Sequence, residues 1–100
     1  MQGLKVVKVP GKNRERKVFL YTLSTCVWCK RTKGFLKDNG IEHDYVDIDL
    51  CNDEEREEAR EHILKLGGSL SYPAIIIDDK ILINGYREDK LKEVLKIGHD

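Results

Sequence analysis

Two cysteines separated by two residues are the most reactive group in the sequence. Cys26 and Cys29 follow an apolar, strand-like run at residues 18–21 and stand where a helix-like run begins. A cysteine at a helix N-terminus faces backbone N–H groups that lack an intrahelical partner, and the helix dipole there favours a thiolate. We therefore expect Cys26 to be an exposed, acidic nucleophile.

Cys29 comes one helical turn after Cys26, on the same face of the helix, where we expect it to be more buried. From there it can attack a mixed disulfide formed at Cys26 and release the reduced substrate. Three cations just downstream add a favourable electric field, namely Lys30, Arg31 and Lys33. The pair predicts a dithiol/disulfide switch.

A zinc site is the less favoured interpretation of the same pair, because a structural zinc ion needs four ligands and usually a second matching pair. The remaining Cys and His residues stand at spacings that match no common zinc pattern: His43, Cys51, His62 and His99. We predict no metal site, and we interpret Cys51 as a small apolar residue that fills space in the core.

Length and composition predict one domain over residues 1–100, with an N-terminal extension or hairpin strand at 1–16 and a core fold at 17–97. The chain has 100 residues, 40% of them hydrophobic, which suffices for one core. No apolar run approaches the roughly 20 residues that span a bilayer. The lack of an apolar leader predicts a soluble, cytoplasmic protein that binds no membrane, and the odd cysteine count argues against a secreted disulfide framework. Nothing in the sequence demands more than a monomer.

Charge is segregated along a chain whose formal net charge is zero. Residues 1–37 carry ten Lys or Arg against one acid, Glu15, and residues 42–61 carry ten acids against two Arg. The cysteines therefore stand in the basic third, which could steer an acidic protein partner towards them. The absence of net positive charge and of an aromatic ladder argues against a nucleic-acid partner.

Punctuating residues divide the chain into alternating strands and helices. A first strand at 4–9 is predicted to be an added edge strand or one arm of a hairpin with the strand at 17–22. A first helix from about Cys26 to Asp38 is expected to have Ser24 or Thr25 as its cap and to stop at Asn39-Gly40. A strand at 42–49 follows.

The second half predicts a helix, a hairpin and a last helix. Asn52 to Glu55 has capping-box spacing, and Gly67-Gly68 ends that helix. Tyr72-Pro73 stands directly before an apolar run. Because proline cannot donate to a strand ladder, we expect Pro73 at the first residue of that strand. A turn at 78–80 leads into the next strand, and the last helix, with Leu91, Val94 and Leu95 on one face, closes at Gly98.

Three motifs in this order resemble the glutaredoxins of the thioredoxin fold: Cys26-x-x-Cys29, Tyr72-Pro73 before an apolar strand, and Asn84-Gly85-Tyr86-Arg87 before the last helix. The resemblance implies an α/β, thioredoxin-like fold with a central four-stranded mixed sheet flanked by three helices, plus the extra N-terminal strand or hairpin. It also implies that Cys26 is the nucleophile, Cys29 the resolving cysteine and Pro73 a cis-proline. The Tyr72 backbone would pair with bound substrate, and Gly85 would allow close approach at the groove's edge.

The tract from Asn84 to Leu91 is similar to the corresponding tract of NrdH-type redoxins, which donate electrons to ribonucleotide reductase. Val27-Trp28 replaces the usual Pro-Tyr, and no lysine precedes the first cysteine. The resemblance therefore implies a protein disulfide substrate, with ribonucleotide reductase as the candidate, and a thioredoxin-reductase-like electron donor rather than glutathione. No bound cofactor is expected beyond the redox-active Cys26-Cys29 disulfide. The partner surface would comprise Val27, Trp28, Lys30, Tyr86 and Arg87.

Two other functions stay open at this point. Some glutaredoxins hold an iron–sulfur cluster shared between two subunits, and Cys26 would then be a ligand. A glutathione-dependent glutaredoxin would need a cation from Lys30, Arg31 or Lys65 in place of the missing lysine.

Overall fold

A computed structural model describes residues 6–96 of the chain. The elements follow in this order: β1 (Val7–Val9), β2 (Val18–Thr22), α1 (Val27–Asp38), β3 (His43–Asp47), a 3₁₀ turn (Ile48–Leu50), α2 (Asp53–Lys65), β4 (Ala74–Ile77), β5 (Ile81–Asn84) and α3 (Glu88–Leu95). The predicted end of the last helix at Gly98, and the predicted strand residues Leu4 and Lys5, lie outside the described residues.

The five strands form one mixed sheet in the order β1-β3-β2-β4-β5. The pair β2–β3 is parallel, and the other three pairs are antiparallel. The predicted four-stranded core is thus present with one added strand. This architecture confirms the α/β, thioredoxin-like prediction.

The added strand pairs with β3, so the alternative of a hairpin between β1 and β2 is wrong. Both sides of β2 are taken by β3 and β4, which leaves no free edge for β1. The connection after β1 also runs alongside the start of β3. There the Asn13 N–H donates to the Gly40 carbonyl at 2.9 Å, and the Glu42 N–H donates to the Asn13 carbonyl at 2.9 Å.

Helices cover both faces of the sheet because each face presents an apolar layer. On one face, Leu36 of α1 packs with Leu91 and Leu95 of α3. On the other face, α2 contributes Ala59 and Ile63. The interior strand β4 is buried along its whole length, which explains its purely apolar sequence.

Local signals set most of the helix ends. The Asn52 side chain accepts from the Glu55 N–H at 2.9 Å, and the Glu55 side chain accepts from the Asn52 N–H at 2.8 Å, which confirms the capping box. Asn39 caps the end of α1, followed by Gly40 at φ +67°. α3 ends earlier than predicted, at Leu95.

The third strand is shorter than predicted. β3 ends at Asp47 rather than at Asp49, because Ile48–Leu50 turn into a 3₁₀ segment. The β4–β5 turn has Asp78 and Asp79 at φ 55° and 60°, as a type I′ hairpin turn requires. No helix within residues 6–96 is both long and apolar enough to cross a membrane.

Candidate active site

Cys26 itself is the N-cap of α1, so the expectation that Ser24 or Thr25 caps the helix is wrong. The Cys26 sulfur accepts a hydrogen bond from the Cys29 N–H at 3.2 Å. Ser24 is held elsewhere, because its N–H donates to Asp49 Oδ1 at 2.8 Å and its hydroxyl donates to Asp49 Oδ2. The sulfur therefore occupies the position where backbone donors lack intrahelical partners.

The environment of Cys26 lowers the pKa of its thiol. Burial acts to raise this pKa, but it is outweighed by hydrogen bonds from the Cys29 thiol, from the Cys29 N–H and from the Trp28 N–H, with a further contribution from the Lys33 charge. The side chain is half-buried and therefore reachable from solvent. An accessible thiol with a lowered pKa is suited to nucleophilic attack on a disulfide.

The second thiol of the motif has the opposite character. Cys29 is fully buried, and burial together with its hydrogen bond to Cys26 raises the pKa of its thiol to about 12. Backbone contact with Leu23 and the charge of Lys33 act in the other direction but do not reverse the shift. The two sulfurs thus divide into an acidic, accessible one and a protonated, protected one.

Among the three cations predicted to act on the sulfurs, Lys33 contributes to lowering the pKa of both thiols. Arg31 instead lies over the Trp28 ring, with its Cζ atom 5.1 Å from the ring centroid. Lys30 is exposed on the surface of α1.

An exposed aromatic surface adjoins the cysteines. Trp28 is 53% exposed and stacks on Tyr86, with ring centroids 6.2 Å apart and 28° between the planes. Val27 is 60% exposed beside it. Arg87, also exposed, is the N-cap residue of α3. The structure therefore brings the residues of two sequence motifs, 26–29 and 84–87, to one surface.

The Tyr72-Pro73 motif is held in place by a backbone hydrogen bond from Gly85, directly after β5. The Tyr72–Pro73 peptide bond is cis. The Gly85 N–H donates to the Pro73 carbonyl at 2.8 Å, and Gly85 has φ +87°. A side chain there would meet no described atom within 4 Å, so the positive φ, rather than close approach within the chain, favours glycine.

Sequence reasoning missed the role of Asn84. Its amide group accepts from the Ser69 N–H at 3.0 Å and donates to the carbonyls of Ser69 and Ser71 at 2.9 and 3.0 Å. These bonds brace the segment that leads into Tyr72. Asparagine in a Asn-Gly pair looks like a turn residue, so the local pattern gave no sign of this longer-range contact.

A groove beside Tyr72 was also missed. Its volume is about 420 Å³, and its lining includes Arg56, Arg60 and Leu70. Burial raises the pKa of Tyr72, and the charge of Arg60 opposes this shift without reversing it. Both residues line the groove. The two arginines stand one turn apart on α2, but nothing in their local sequence connects them to residue 72.

Within residues 6–96, no group of three or more His, Cys, Asp or Glu side chains is arranged to hold a metal ion. Cys51 is buried in the core that α2 covers, and its sulfur lies 3.6 Å from the Asp47 carbonyl. This position matches its interpretation as a core residue.

The glutaredoxin family model matches residues 18–82. The chain belongs to the glutaredoxin family. Members of this family are thiol-disulfide oxidoreductases that act on protein disulfides in general. The match runs from β2 to β5 and so includes both cysteines and Pro73.

Relatives from several organisms agree with this assignment. The chain is 35% identical over 78 residues to a glutaredoxin-like 8.6 kDa protein encoded in the rubredoxin operon of Clostridium pasteurianum, which covers 77% of the chain and 95% of the relative. The crystal structure of a glutaredoxin from Methanosarcina mazei is 42% identical, with a TM-score of 0.82 over 90% of the chain and 86% of that structure.

NrdH-redoxin from Escherichia coli is also among the structural neighbours of the chain. It is 25% identical, with a TM-score of 0.58 over 84% of the chain and 96% of that structure. NrdH-redoxin is a glutaredoxin-like protein with a thioredoxin-like activity profile. The resemblance to glutaredoxins and to NrdH-type redoxins is thereby confirmed.

Proposed function

We propose that this glutaredoxin is a dithiol reductant of protein disulfides that uses Cys26 as nucleophile and Cys29 as resolving thiol. The asymmetry of the two sulfurs carries the proposal. Cys26 is accessible, with a lowered pKa, whereas Cys29 is buried, with its pKa raised to about 12. Only the first is therefore ready to attack a partner from solvent.

The reaction proceeds by two thiol–disulfide exchanges. The Cys26 thiolate attacks one sulfur of the partner disulfide, and the other partner sulfur leaves as a thiolate that takes up a proton. The Cys29 thiol then gives up its proton and attacks the Cys26 sulfur. The second partner sulfur leaves and is protonated. Two electrons pass to the partner, and the Cys26–Cys29 disulfide remains.

The exposed surface around Cys26 supports a protein rather than a small molecule as substrate. Val27 and Trp28 present apolar area beside the nucleophile, and aromatic residues in such positions are frequent binding hot spots. Lys30 and Arg87 are exposed cations close in sequence to the stacked pair of Trp28 and Tyr86. We propose that the partner carries acidic residues next to its disulfide. We also propose that Tyr86 supports the contact by stacking on Trp28.

For the electron donor, we propose a thioredoxin-reductase-like flavoenzyme that uses NADPH, in the cytoplasm, with ribonucleotide reductase as the candidate partner. The motif's Val27-Trp28 pair and the absence of a lysine in Leu23-Ser24-Thr25 support this choice over glutathione. The tract from Asn84 to Leu91 supports the NrdH-like partner. No bound cofactor takes part in these steps.

Disulfide reduction can be tested with insulin as a general protein substrate. The parent protein should reduce insulin in the presence of a small dithiol, and Cys26→Ser should abolish turnover. Cys29→Ser should stop at a mixed disulfide that mass spectrometry detects. Cys51→Ser is the matched control and should keep parental turnover. Parental turnover in Cys26→Ser would refute the proposal.

The donor is tested with the oxidised protein. It is offered NADPH with thioredoxin reductase in one assay and glutathione with glutathione reductase in another, and the thiols are then counted. Rapid reduction by the flavoenzyme alone supports the proposal. Efficient reduction by glutathione would contradict the donor assignment and would make Arg56 and Arg60, beside Tyr72, the candidate cations for a glutathione carboxylate.

A further inference from the structure

A shielded ion pair joins α1 to the end of β3, next to the point where the loop to Cys26 leaves the sheet. Lys33 Nζ and Asp47 Oδ1 are 3.0 Å apart, and the two side chains are only 20% and 15% exposed. Other ion pairs among the described residues are more exposed, such as Arg16–Asp78 at 34% and 33% and Lys17–Asp79 at 65% and 63%. Removing two charges from water costs free energy that a pair need not recover, so a shielded pair is weak evidence for a stabilising role.

Both members of the pair are held by further contacts. The Lys33 ammonium lies 3.8 Å from the centroid of the Tyr45 ring, a cation–π distance. The Thr22 hydroxyl donates to Asp47 Oδ1 at 2.6 Å. The ammonium is therefore fixed between a carboxylate and an aromatic face, rather than free to sample solvent like an ordinary surface lysine.

The position of the pair relates it to the cysteines. Thr22 and Asp47 are the last residues of β2 and β3 and face each other in the parallel register. The loop to Cys26 leaves the sheet directly after Thr22. Lys33 follows Cys29 by four residues on α1, so the two side chains lie on the same face of the helix, one turn apart.

We propose that Asp47 and Tyr45 are positioning residues which hold the Lys33 ammonium one helical turn after Cys29, where its fixed positive charge favours the thiolate state of Cys26. This proposal deepens the proposed function and rests on it. An immobile charge in a partly desolvated site acts more strongly than a mobile, hydrated one. The lowered pKa of Cys26, to which Lys33 contributes, agrees with this arrangement.

Other titratable groups face the same region from neighbouring elements. Tyr72 interacts with Cys29 from the segment before β4, and Asp49 binds Ser24 from the 3₁₀ turn. Both are retained in every variant used below. On β3, burial lowers the pKa of His43 and the Lys33 charge adds to this effect, and His43 is retained as well. Changes in the titration of Cys26 are therefore attributed to Lys33, Asp47 and Tyr45.

The test is the pH dependence of Cys26 alkylation by iodoacetamide, with the modified cysteine identified by mass spectrometry. Lys33→Gln should raise the midpoint by up to about one pH unit, because an opposite charge that favours the thiolate is lost. Lys33→Arg keeps the charge and should recover most of the shift. Lys37→Gln removes an exposed lysine of the same helix and should leave the midpoint unchanged. An unchanged midpoint in Lys33→Gln would overturn the proposal.

Asp47→Asn separates positioning from simple charge balance. If the carboxylate holds the ammonium in place, its loss frees Lys33 and the midpoint rises, as in Lys33→Gln. If Asp47 only offsets the lysine charge, its removal lowers the midpoint, and a lowered or unchanged midpoint overturns the positioning role. Urea unfolding of each variant verifies that the titration reports on folded protein.

The redox equilibrium gives an independent readout. Loss of Lys33 destabilises the thiolate relative to the disulfide, so the equilibrium constant with a reference dithiol should shift up to tenfold towards oxidised protein, about 30 mV for a two-electron couple. An equilibrium constant equal to the parent's would contradict the proposal. Alkylation needs no protein partner, so failure of this proposal is distinguishable from failure of the proposed reductase activity.

Discussion

Replacing Cys29 by alanine tests whether the resolving thiol also activates the nucleophile. The Cys26 sulfur accepts a hydrogen bond from the Cys29 N–H at 3.2 Å, and interactions with the Cys29 thiol and the Trp28 N–H also lower the pKa of its thiol. Cys29→Ala removes only the interaction with the Cys29 thiol. A hydrogen bond to a charged group contributes about 1.5–3 kcal/mol, and one pKa unit corresponds to about 1.4 kcal/mol. We therefore expect the Cys26 pKa to rise by roughly one to two units.

Thiolate absorbance at 240 nm, recorded against pH, measures this shift in the reduced protein. Cys51→Ser serves as background in every sample, because it removes the other described cysteine. Cys29→Ser is the matched control: a hydroxyl of similar size can still donate to the thiolate, so most of the parental pKa should return. A Cys26 pKa that stays at the parental value in Cys29→Ala would refute the hydrogen-bond argument.

Three further predictions follow from the same structure. Trp28→Ala should raise KM for a protein disulfide about tenfold, or about 1.4 kcal/mol, without moving the Cys26 alkylation midpoint, whereas exposed Leu64→Ala should change neither quantity. The reduced protein should lose stability between pH 9 and about 12, because the unfolded chain releases the Cys29 and Tyr21 protons at ordinary values of 9.0 and 10.0 while the folded chain holds both to about 12; equal urea midpoints at pH 8 and pH 11 would contradict this sign. Ile75→Ala should lower the free energy of unfolding by about 2–5 kcal/mol, because Ile75 is fully buried in β4. Exposed Leu64→Ala should lower it by less than about 0.5 kcal/mol, and an equally small loss for Ile75→Ala would show that the core is assigned wrongly.

The features that the sequence predicted correctly depend on residues close together in the chain. The capping box joins Asn52 to Glu55, three positions away, and the stop signal of α1 is the adjacent pair Asn39-Gly40. The two cysteines are equally local, since one helical turn separates them. In each case the chemistry of a short segment specifies its geometry, so the pattern could be read without knowledge of the fold.

Other features needed competition between distant parts of the chain to be resolved. Ser24 has the chemistry of a helix cap, but Asp49 binds it, and the cap falls to Cys26. The sequence pattern allowed the first strand either to form a hairpin with β2 or to add to an edge of the sheet. Because β3 and β4 occupy both edges of β2, β1 pairs with β3. Neither outcome is encoded by the residues of one segment alone.

The sequence by itself thus determined the position of the Cys26-x-x-Cys29 motif and the order of the elements, because these follow from short-range spacing and hydrophobic periodicity. The family was indicated by the resemblance of three motifs to those of glutaredoxins. Only the tertiary structure decided which charges act on the sulfurs. Lys30, Arg31 and Lys33 are equivalent in a linear reading. Folding places Arg31 over Trp28 and clamps Lys33 between Asp47 and Tyr45, because the strand that carries those two partners packs against α1 only in the complete sheet.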